Sequence, residues 1–385
     1  DVCPKCEHNP FTHFPLSPEC DLCNASKGQR PSHFQKVGPE PDDLPKPKKF
    51  ADSITADHKV LNDDDKSRSF DKLALVIQDR FTQWLQAFAF KTKNAKDTLK
   101  GFQRFLGPQQ KAEYIYTDGS REFERAISEL QVIHDTSTPH RPQTNGVAER
   151  AVRRVKEGTA TILLQSGWDE VFWAQAMACY CMLRNIVDIL ANGHTAFFNK
   201  YGVDFPGPIY PFGAEVDYKP TSEKDKARLH QMGSKELNGI FMGYHQKAGG
   251  SWSGDLFIAD QKEIAEAGHP SDIYLKRIPA PEVKVIKIGG RFRFPLAEGS
   301  LKQPLTRVRL PRQRIGRIQA PEGDTEEDSS DDDESEGEGT PPKGEMEGTP
   351  SNQVVKPAKI PRGRVRQIRG PVSYTHLTLP TILLV

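Results

Sequence analysis

TSTPHRPQTNGVAERAVRRVK, residues 136–156, is the stretch whose reading decides the fold. Its first half cannot be regular structure: Pro139 and Pro142 exclude helix around them, and Asn145-Gly146 is a turn or cap signal. From Val147 the pattern changes. Ala148, Ala151, Val152, Val155, Thr159, Ile162 and Leu163 recur at i, i+3, i+4 and i+7 spacing, which predicts a helix with one buried stripe. Glu149 sits about 100° off that stripe, in the first turn. Arg153 and Lys156 follow it on its own face. A solvated helix carrying a Glu–Arg pair would read this way. So would a carboxylate that holds a metal ion beside a nucleic-acid backbone.

Working outward, the residues before this stretch read as one α/β domain, residues 50–190 with the helices that follow. Residues 50–60 make a candidate first strand, 73–78 (LALVIQ) an apolar central strand and 84–90 an alternating third. Ala95, Leu99, Phe102 and Leu106 make a helical face. Residues 112–117 (AEYIYT) form a fourth strand ending at Asp118, residues 123–130 a short helix, and residues 131–134 a fifth strand. Residues 168–190 continue as a mostly apolar helix holding Cys179 and Cys181, which read as packing residues. Residues 195–290 read as a small β domain, with strand candidates at 213–218, 239–244 and 252–258.

The 385 residues suffice for two or three domains. Lys+Arg 53 against Asp+Glu 52 is a misleading balance, because the charges are segregated. Arg307, Arg309, Arg312, Arg314 and Arg317 form one basic cluster, residues 322–347 an acidic run, and residues 356–369 a second basic cluster. With so few apolar residues, 300–371 reads as a disordered tail. No apolar stretch is long enough to span a bilayer, and no signal pattern opens the chain, so a membrane is not an expected partner. Asp1 is not an initiator methionine, which suggests a piece of a longer reading frame.

Near the other end, CPKCEHNPFTHFPLSPECDLC (residues 3–23) offers two ligand sets for tetrahedral zinc: His8, His13, Cys20 and Cys23, or Cys3, Cys6, Cys20 and Cys23. So short a segment, residues 1–30, cannot bury a core without a metal. A proline-rich linker, residues 31–49, joins it to the α/β domain.

Several of these stretches share a resemblance. TSTPHRPQTNGVAERAVRRVKEGT is similar to the third catalytic motif of retroelement integrases, the DDE polynucleotidyl transferases with an RNase H-like core. TDGSREF resembles their second motif and TADH the first. THFPLSPECDLCNASKGQR resembles the His-His-Cys-Cys module before copia-type integrase cores, which favours the histidine ligand set. The runs WDEVFWAQAMACYCMLRNI, PFGAEV and GIFMGY resemble the region after the core in copia-type long-terminal-repeat retrotransposon polyproteins. The match covers roughly residues 8 to 280. The final residues 372–385 (VSYTHLTLPTILLV) resemble a translated sequencing adapter and stand outside the argument.

The resemblance implies a fold: a mixed five-stranded sheet with helices, preceded by a zinc module and followed by a small β domain and a tail. It implies Asp57, Asp118 and Glu149 as catalytic carboxylates holding Mg²⁺ (or Mn²⁺) for DNA 3′-end processing and strand transfer. Arg153 and Lys156, with His140 and Arg141 on the preceding loop, are the implied DNA contacts. Element ends and target DNA are the implied partners, in a homo-oligomer found in nucleus and cytoplasm. Asp79 matches an aspartate that ends the second strand and binds no metal. Asp52 is the rival to Asp57; the interval of 22 positions (79 − 57) favours Asp57. Two departures stand out. Asp118 and Glu149 are 31 positions apart (149 − 118), fewer than in most of the family, and Gly119 replaces the usual asparagine. A DNA-binding protein that no longer cuts, and a ribonuclease H-like metal nuclease, are the competing readings.

Overall fold

The structure, a computed structural model, describes residues 9–17, 19–27, 46–136 and 146–305. The chain falls into two units, Asp1–Gln313 and Arg314–Val385, and every described residue belongs to the first. After a short helix α1 (Asp21–Lys27), β1 (Ile54–Val60), β2 (Leu73–Asp79) and β3 (Leu85–Phe90) run as an antiparallel meander. Helix α2 (Ala95–Leu106) carries the chain to β4 (Tyr114–Thr117), parallel to β1. Helix α3 (Arg121–Leu130) carries it to β5 (Ile133–Thr136), parallel to β4. The sheet order is β3-β2-β1-β4-β5, and α4 (Gly146–Ser166) follows. This is the mixed five-stranded RNase H-like arrangement that the sequence predicts.

Every residue of β2 is buried, as a strand covered on both faces requires. Helix α4 packs on one face of β1 and β2, and α2 on the other face of β2. The predicted face of α2 is displaced. Its buried residues are Thr98, Gly101, Phe102, Phe105 and Leu106, while Ala95 and Leu99 are half-buried. Gly101 explains the displacement, since a Cβ there would come within 2.4 Å of Leu75 Cδ2. Backbone contact, invisible to a count of apolar side chains, sets the stripe.

The helix expected at 168–190 begins later. Asp169 accepts from the Val171 amide and starts a 3-10 turn, Glu170–Phe172; α5 (Trp173–Val187) follows. Helices α4 and α5 touch at Gly158, where a Cβ would meet the Tyr180 ring at 2.0 Å. Asn185 of α5 accepts from the Leu85 amide at 3.0 Å and donates to the Leu85 carbonyl at 2.7 Å. One side chain thus occupies the edge of β3 where a neighbouring strand would bond.

A second sheet follows α6 (Ala196–Tyr201). It contains β6 (Glu215–Tyr218), α7 (Glu223–Lys226), β7 (Leu237–Gln246), β8 (Trp252–Asp260), α8 (Gln261–Glu266), β9 (Leu275–Pro279) and β10 (Val283–Val285). The order is β10-β6-β7-β8-β9, antiparallel throughout. Cys179 faces Gly243 of β7, and Cys181 accepts from the Ala87 amide of β3. Both thiols are buried, and burial pushes Cys181 up to about 12, so they stay protonated and pack.

Two boundaries differ from expectation. The small sheet does not end the folded chain at 290: β11 (Lys287–Ile288) and β12 (Arg291–Phe292) make a short ladder, and α9 (Pro295–Glu298) returns to α4. The expected tail from residue 300 begins with packed residues, because Gln303 donates to the Gly167 carbonyl at 2.6 Å and accepts from the Asp169 amide at 3.1 Å. At the other end, the Lys48 and Lys49 amides of the expected linker bond Asp52. Linker residues 31–45, the tail from 306 and residues 372–385 lie outside the described residues.

Candidate active site and metal-binding module

Parallel pairing of β1 with β4 brings two of the predicted carboxylates together. The register Ile54↔Ile115 and Thr55↔Tyr116 has an offset of 61 (115 − 54), which sets Asp57 opposite Asp118 (57 + 61), one residue past the end of β4. Neighbouring strands lie about 4.8 Å apart, and partners across a register share a face. Asp57 and Lys59 lie on the face that α4 covers, with Val76 and Ala74 as their β2 partners. Glu149 stands in the first turn of α4, exposed, while Ala148, Ala151 and Val155 of the same helix are buried. The predicted stripe of α4 therefore docks on the sheet and leaves Glu149 beside it.

The charges of Asp118 and Glu149 act on Asp57. Asp57 is half-buried and accepts from the His58 amide at 2.7 Å. Burial pushes its pKa up to about 6, and the charges of Asp118 and Glu149 add to the rise; the His58 amide and Lys93 oppose it. Among the described residues, though, no three acidic groups have oxygens all within 4.8 Å of one another. The charges of Asp118 and Glu149 reach Asp57 without the three groups forming one tight cluster. A partly desolvated carboxyl whose pKa is raised by burial and then by two neighbouring anions belongs to a donor set that a hard divalent cation fits, since oxygen ligands suit Mg²⁺ and the cation reverses the repulsion.

The rival aspartates are used elsewhere. Asp52 accepts from the amides of Lys48 (2.8 Å) and Lys49 (3.0 Å), anchoring the turn into β1. Asp79 is fully buried and accepts from the Ala51 amide, the Thr82 amide and the Thr82 hydroxyl, so it closes the β2–β3 turn. Gly119 makes no steric demand. The nearest atom to a Cβ there is 4.0 Å away, so the departure from asparagine leaves room for a side chain.

Behind the carboxylates, on the opposite face of the sheet, lie residues the sequence reading did not single out. His58 stacks on Phe123, centroids 4.2 Å apart, and its Nε2 lies 3.2 Å from Thr98 Oγ1. Burial, then Lys93, lowers its pKa to about 4, so it is neutral. His134 Nε2 lies 2.8 Å from Thr117 Oγ1, which donates to the Asp118 carbonyl. Strand alternation could have found His58, one residue after Asp57 and so on the other face. His134 carries no comparable local signal.

Arg153 and Lys156 are exposed on α4. His140 and Arg141, with the rest of residues 137–145, lie outside the described residues, as do His8, Cys3 and Cys6. In the N-terminal module, His13, Cys20 and Cys23 are buried, with ligand atoms all within 4.8 Å of one another. His13 Nδ1 lies 3.7 Å from Cys20 Sγ. A nitrogen and two sulfurs converging in a small buried cluster fit zinc. The module docks on the far half of α4: Ser26 and Thr161 hydroxyls meet at 2.6 Å, and Gln165 donates to the Pro10 carbonyl at 3.0 Å. Thr161 is roughly 18 Å along the helix from Glu149, so the module braces α4 without reaching the carboxylates.

No family model matches the chain. Over 117 residues it is 29% identical to the retrovirus-related Pol polyprotein from transposon RE1 of Arabidopsis thaliana, covering 29% of this chain and 8% of that one. Over 122 residues it is 32% identical to the corresponding polyprotein from transposon TNT 1-94 of Nicotiana tabacum, covering 32% of this chain and 9% of that one. The matched stretches therefore span under a tenth of those relatives. Among solved structures, the catalytic core domain of BIV integrase aligns with 38% of this chain and 91% of its own. Its identity is 20% and its TM-score 0.29, too low to add to the strand order described above. The chain is a homologue of the retrovirus-related Pol polyproteins of plant transposons.

Proposed function

We propose that this chain is the integrase region of a copia-type retrotransposon polyprotein and that its core performs metal-dependent DNA 3′-end processing and strand transfer. The observation that carries the reading is Asp57, raised to about 6 by burial and by the charges of Asp118 and Glu149. Three acids from β1, from the end of β4 and from α4 with one shared field make a costly arrangement for a fold and a useful one for a cation. In this reading residues 50–190 are the catalytic core, 1–30 a zinc module and 195–290 an accessory β domain.

When bound, divalent ions (Mg²⁺ or Mn²⁺) supply charge stabilisation at the attacking and leaving oxygens of a phosphodiester. Asp57, Asp118 and Glu149 present oxygens to them, and the His58 amide orients the Asp57 carboxylate. Arg153 and Lys156 hold backbone phosphates, which contributes affinity and register but little base reading. Water is the nucleophile when the donor end is trimmed, and a DNA 3′-hydroxyl when strands are joined. DNA ends, target DNA and further copies of the chain are the proposed partners, in the nucleus and in cytoplasmic particles.

A second reading, a retroelement-derived DNA-binding protein without activity, is favoured by the absence of a tight acidic cluster among the described residues. Asp118→Asn separates the two. Strand transfer in Mg²⁺ should fall by roughly a thousandfold, the equivalent of several kcal/mol, with DNA affinity retained. Asp52→Asn should leave the rate unchanged. Wild-type protein that binds DNA yet joins no ends in Mg²⁺ or Mn²⁺ establishes the second reading.

A further inference from the structure

A cavity of about 470 Å³ opens between α4 and the β1–β2 face, beside the carboxylates. Its volume lies in the range of small-ligand pockets. Val76, Ala74, Val155, Leu163 and Met177 supply apolar walls, and Trp173 flanks them, its indole N–H donating to the Asp65 carbonyl at 3.0 Å. The rim is polarised. At the end nearer the carboxylates stand Lys59, two residues after Asp57 on the same face of β1, and Lys156, about two turns after Glu149 on the same side of α4. Both lysines are exposed. The 3-10 turn brings Glu170 to the other end, and the segment after β1 brings Asp64, Asp65 and Lys66, whose ammonium pairs with Asp63 at 3.2 Å. A ligand that fits has an anionic group, then an apolar planar body, then hydrogen-bond donors.

The geometry points to a nucleotide pocket: the cavity takes one unpaired nucleotide of a DNA end. Its phosphate lies between Lys59 and Lys156, and its base packs against Val76, Val155 and Trp173. Carboxylates accept from exocyclic amino groups, which cytosine and adenine carry and thymine lacks, so the acidic rim favours the former. An end nucleotide is the least expensive to unstack, because an unpaired base has lost its pairing already. The inference rests on the proposed DNA reaction for the identity of the partner, but its readout is binding, not strand joining.

The test uses the full chain without added Mg²⁺ and duplexes with a three-nucleotide single-stranded overhang, its bases intact or abasic. Wild-type protein should bind the intact overhang about tenfold tighter, the worth of one stacked base. Ala160→Phe fills the cavity from α4 and should bring that ratio to about one, with blunt-duplex affinity unchanged. A ratio of about one in the wild type overturns the pocket, as does a ratio that Ala160→Phe leaves intact. Glu170→Gln, on an exposed residue, gives an independent arm. Cytosine overhangs should bind a few-fold tighter than thymine overhangs in the wild type and equally in the variant; no wild-type difference, or one the variant retains, refutes the placement of the base. If Ala160→Phe alters protease protection of residues 306–385 and not the DNA ratio, a segment of the chain fills the cavity and the proposal fails. Protein that shows the overhang effect but joins no ends keeps the pocket and loses the reaction; joining with a ratio of one does the reverse.

Discussion

Two groups of buried or half-buried charge in this molecule are built on opposite principles. In the small sheet, Lys276 bonds Asp225 at 2.6 Å and Glu263 at 2.8 Å, while Arg228 and the Tyr218 hydroxyl both bond Asp260 Oδ2. Burial alone would raise Asp225, but Lys276, Ser222 and Arg228 hold it below the usual carboxylate range. In the core, burial raises the pKa of Asp57, and the charges of Asp118 and Glu149 add to the rise. The first group is complete: each anion has its cation, and its role is to hold β6, α7, β8 and β9 together. The second gathers like charges, which a fold does not need. Perturbation by desolvation plus like charge makes a candidate functional site; perturbation by matched partners is what a structural network shows.

The comparison can be broken at either end. The largest effect expected is the loss of strand transfer in Asp118→Asn, which tests the core group by rate. Lys276→Met tests the other group by stability. Removing the shared cation leaves Asp225 and Glu263 facing each other, and urea denaturation should show a loss of about 3 kcal/mol, with strand transfer by the folded protein unchanged. A loss below 1 kcal/mol would mean the network is no more than a surface ion pair.

A smaller effect is expected in the zinc module. His13→Ala should reduce bound zinc below one per chain under reducing conditions and lower the melting temperature. Full zinc content in that variant would place the site on residues 3–23 without His13.

The smallest effect sharpens the contrast by its sign. Asp57 keeps its proton in the folded state up to about pH 6, whereas the unfolded chain releases it near 3.9. Stability from this group is therefore present below about pH 4 and is lost as pH rises through 6. Without divalent metal, Asp57→Asn should be more stable than the wild type at pH 7.5, and the difference should vanish on acidification. Mg²⁺ should raise the wild-type melting temperature and leave the variant's nearly still. A destabilised variant at pH 7.5 would show that the ionised carboxylate is paired after all.

How much of this was legible follows from the distance over which each feature is encoded. The 3.6-residue spacing of Ala148, Ala151, Val155 and Ile162 specified the docking face of α4, because the residues that meet the sheet are neighbours along one helix. The uninterrupted apolar run of β2 likewise announced a strand covered on both faces. Cys20 and Cys23 lie three residues apart, a spacing that suits one metal whatever the rest of the chain does. Asp57, Asp118 and Glu149 are candidates named by their local motifs.

Tertiary structure decided what depends on separate elements meeting. The spacing of the cysteines left open whether histidines or a second cysteine pair join them; among the described residues, the turn before α1 brings His13 to Cys20 and Cys23, while His8, Cys3 and Cys6 lie outside them. Gly101 and Gly158 are each where a neighbour, Leu75 or the Tyr180 ring, presses against the helix backbone. Asn185 looks like any polar residue near a helix end until Leu85 of β3 lies beside it. The raised pKa of Asp57 belongs to the same class. Three motifs can name three acids, but only the parallel register of β1 with β4, and the seating of α4 against both β1 and β2, bring the charges of Asp118 and Glu149 to bear on Asp57, since electrostatic coupling depends on separation in space and not along the chain.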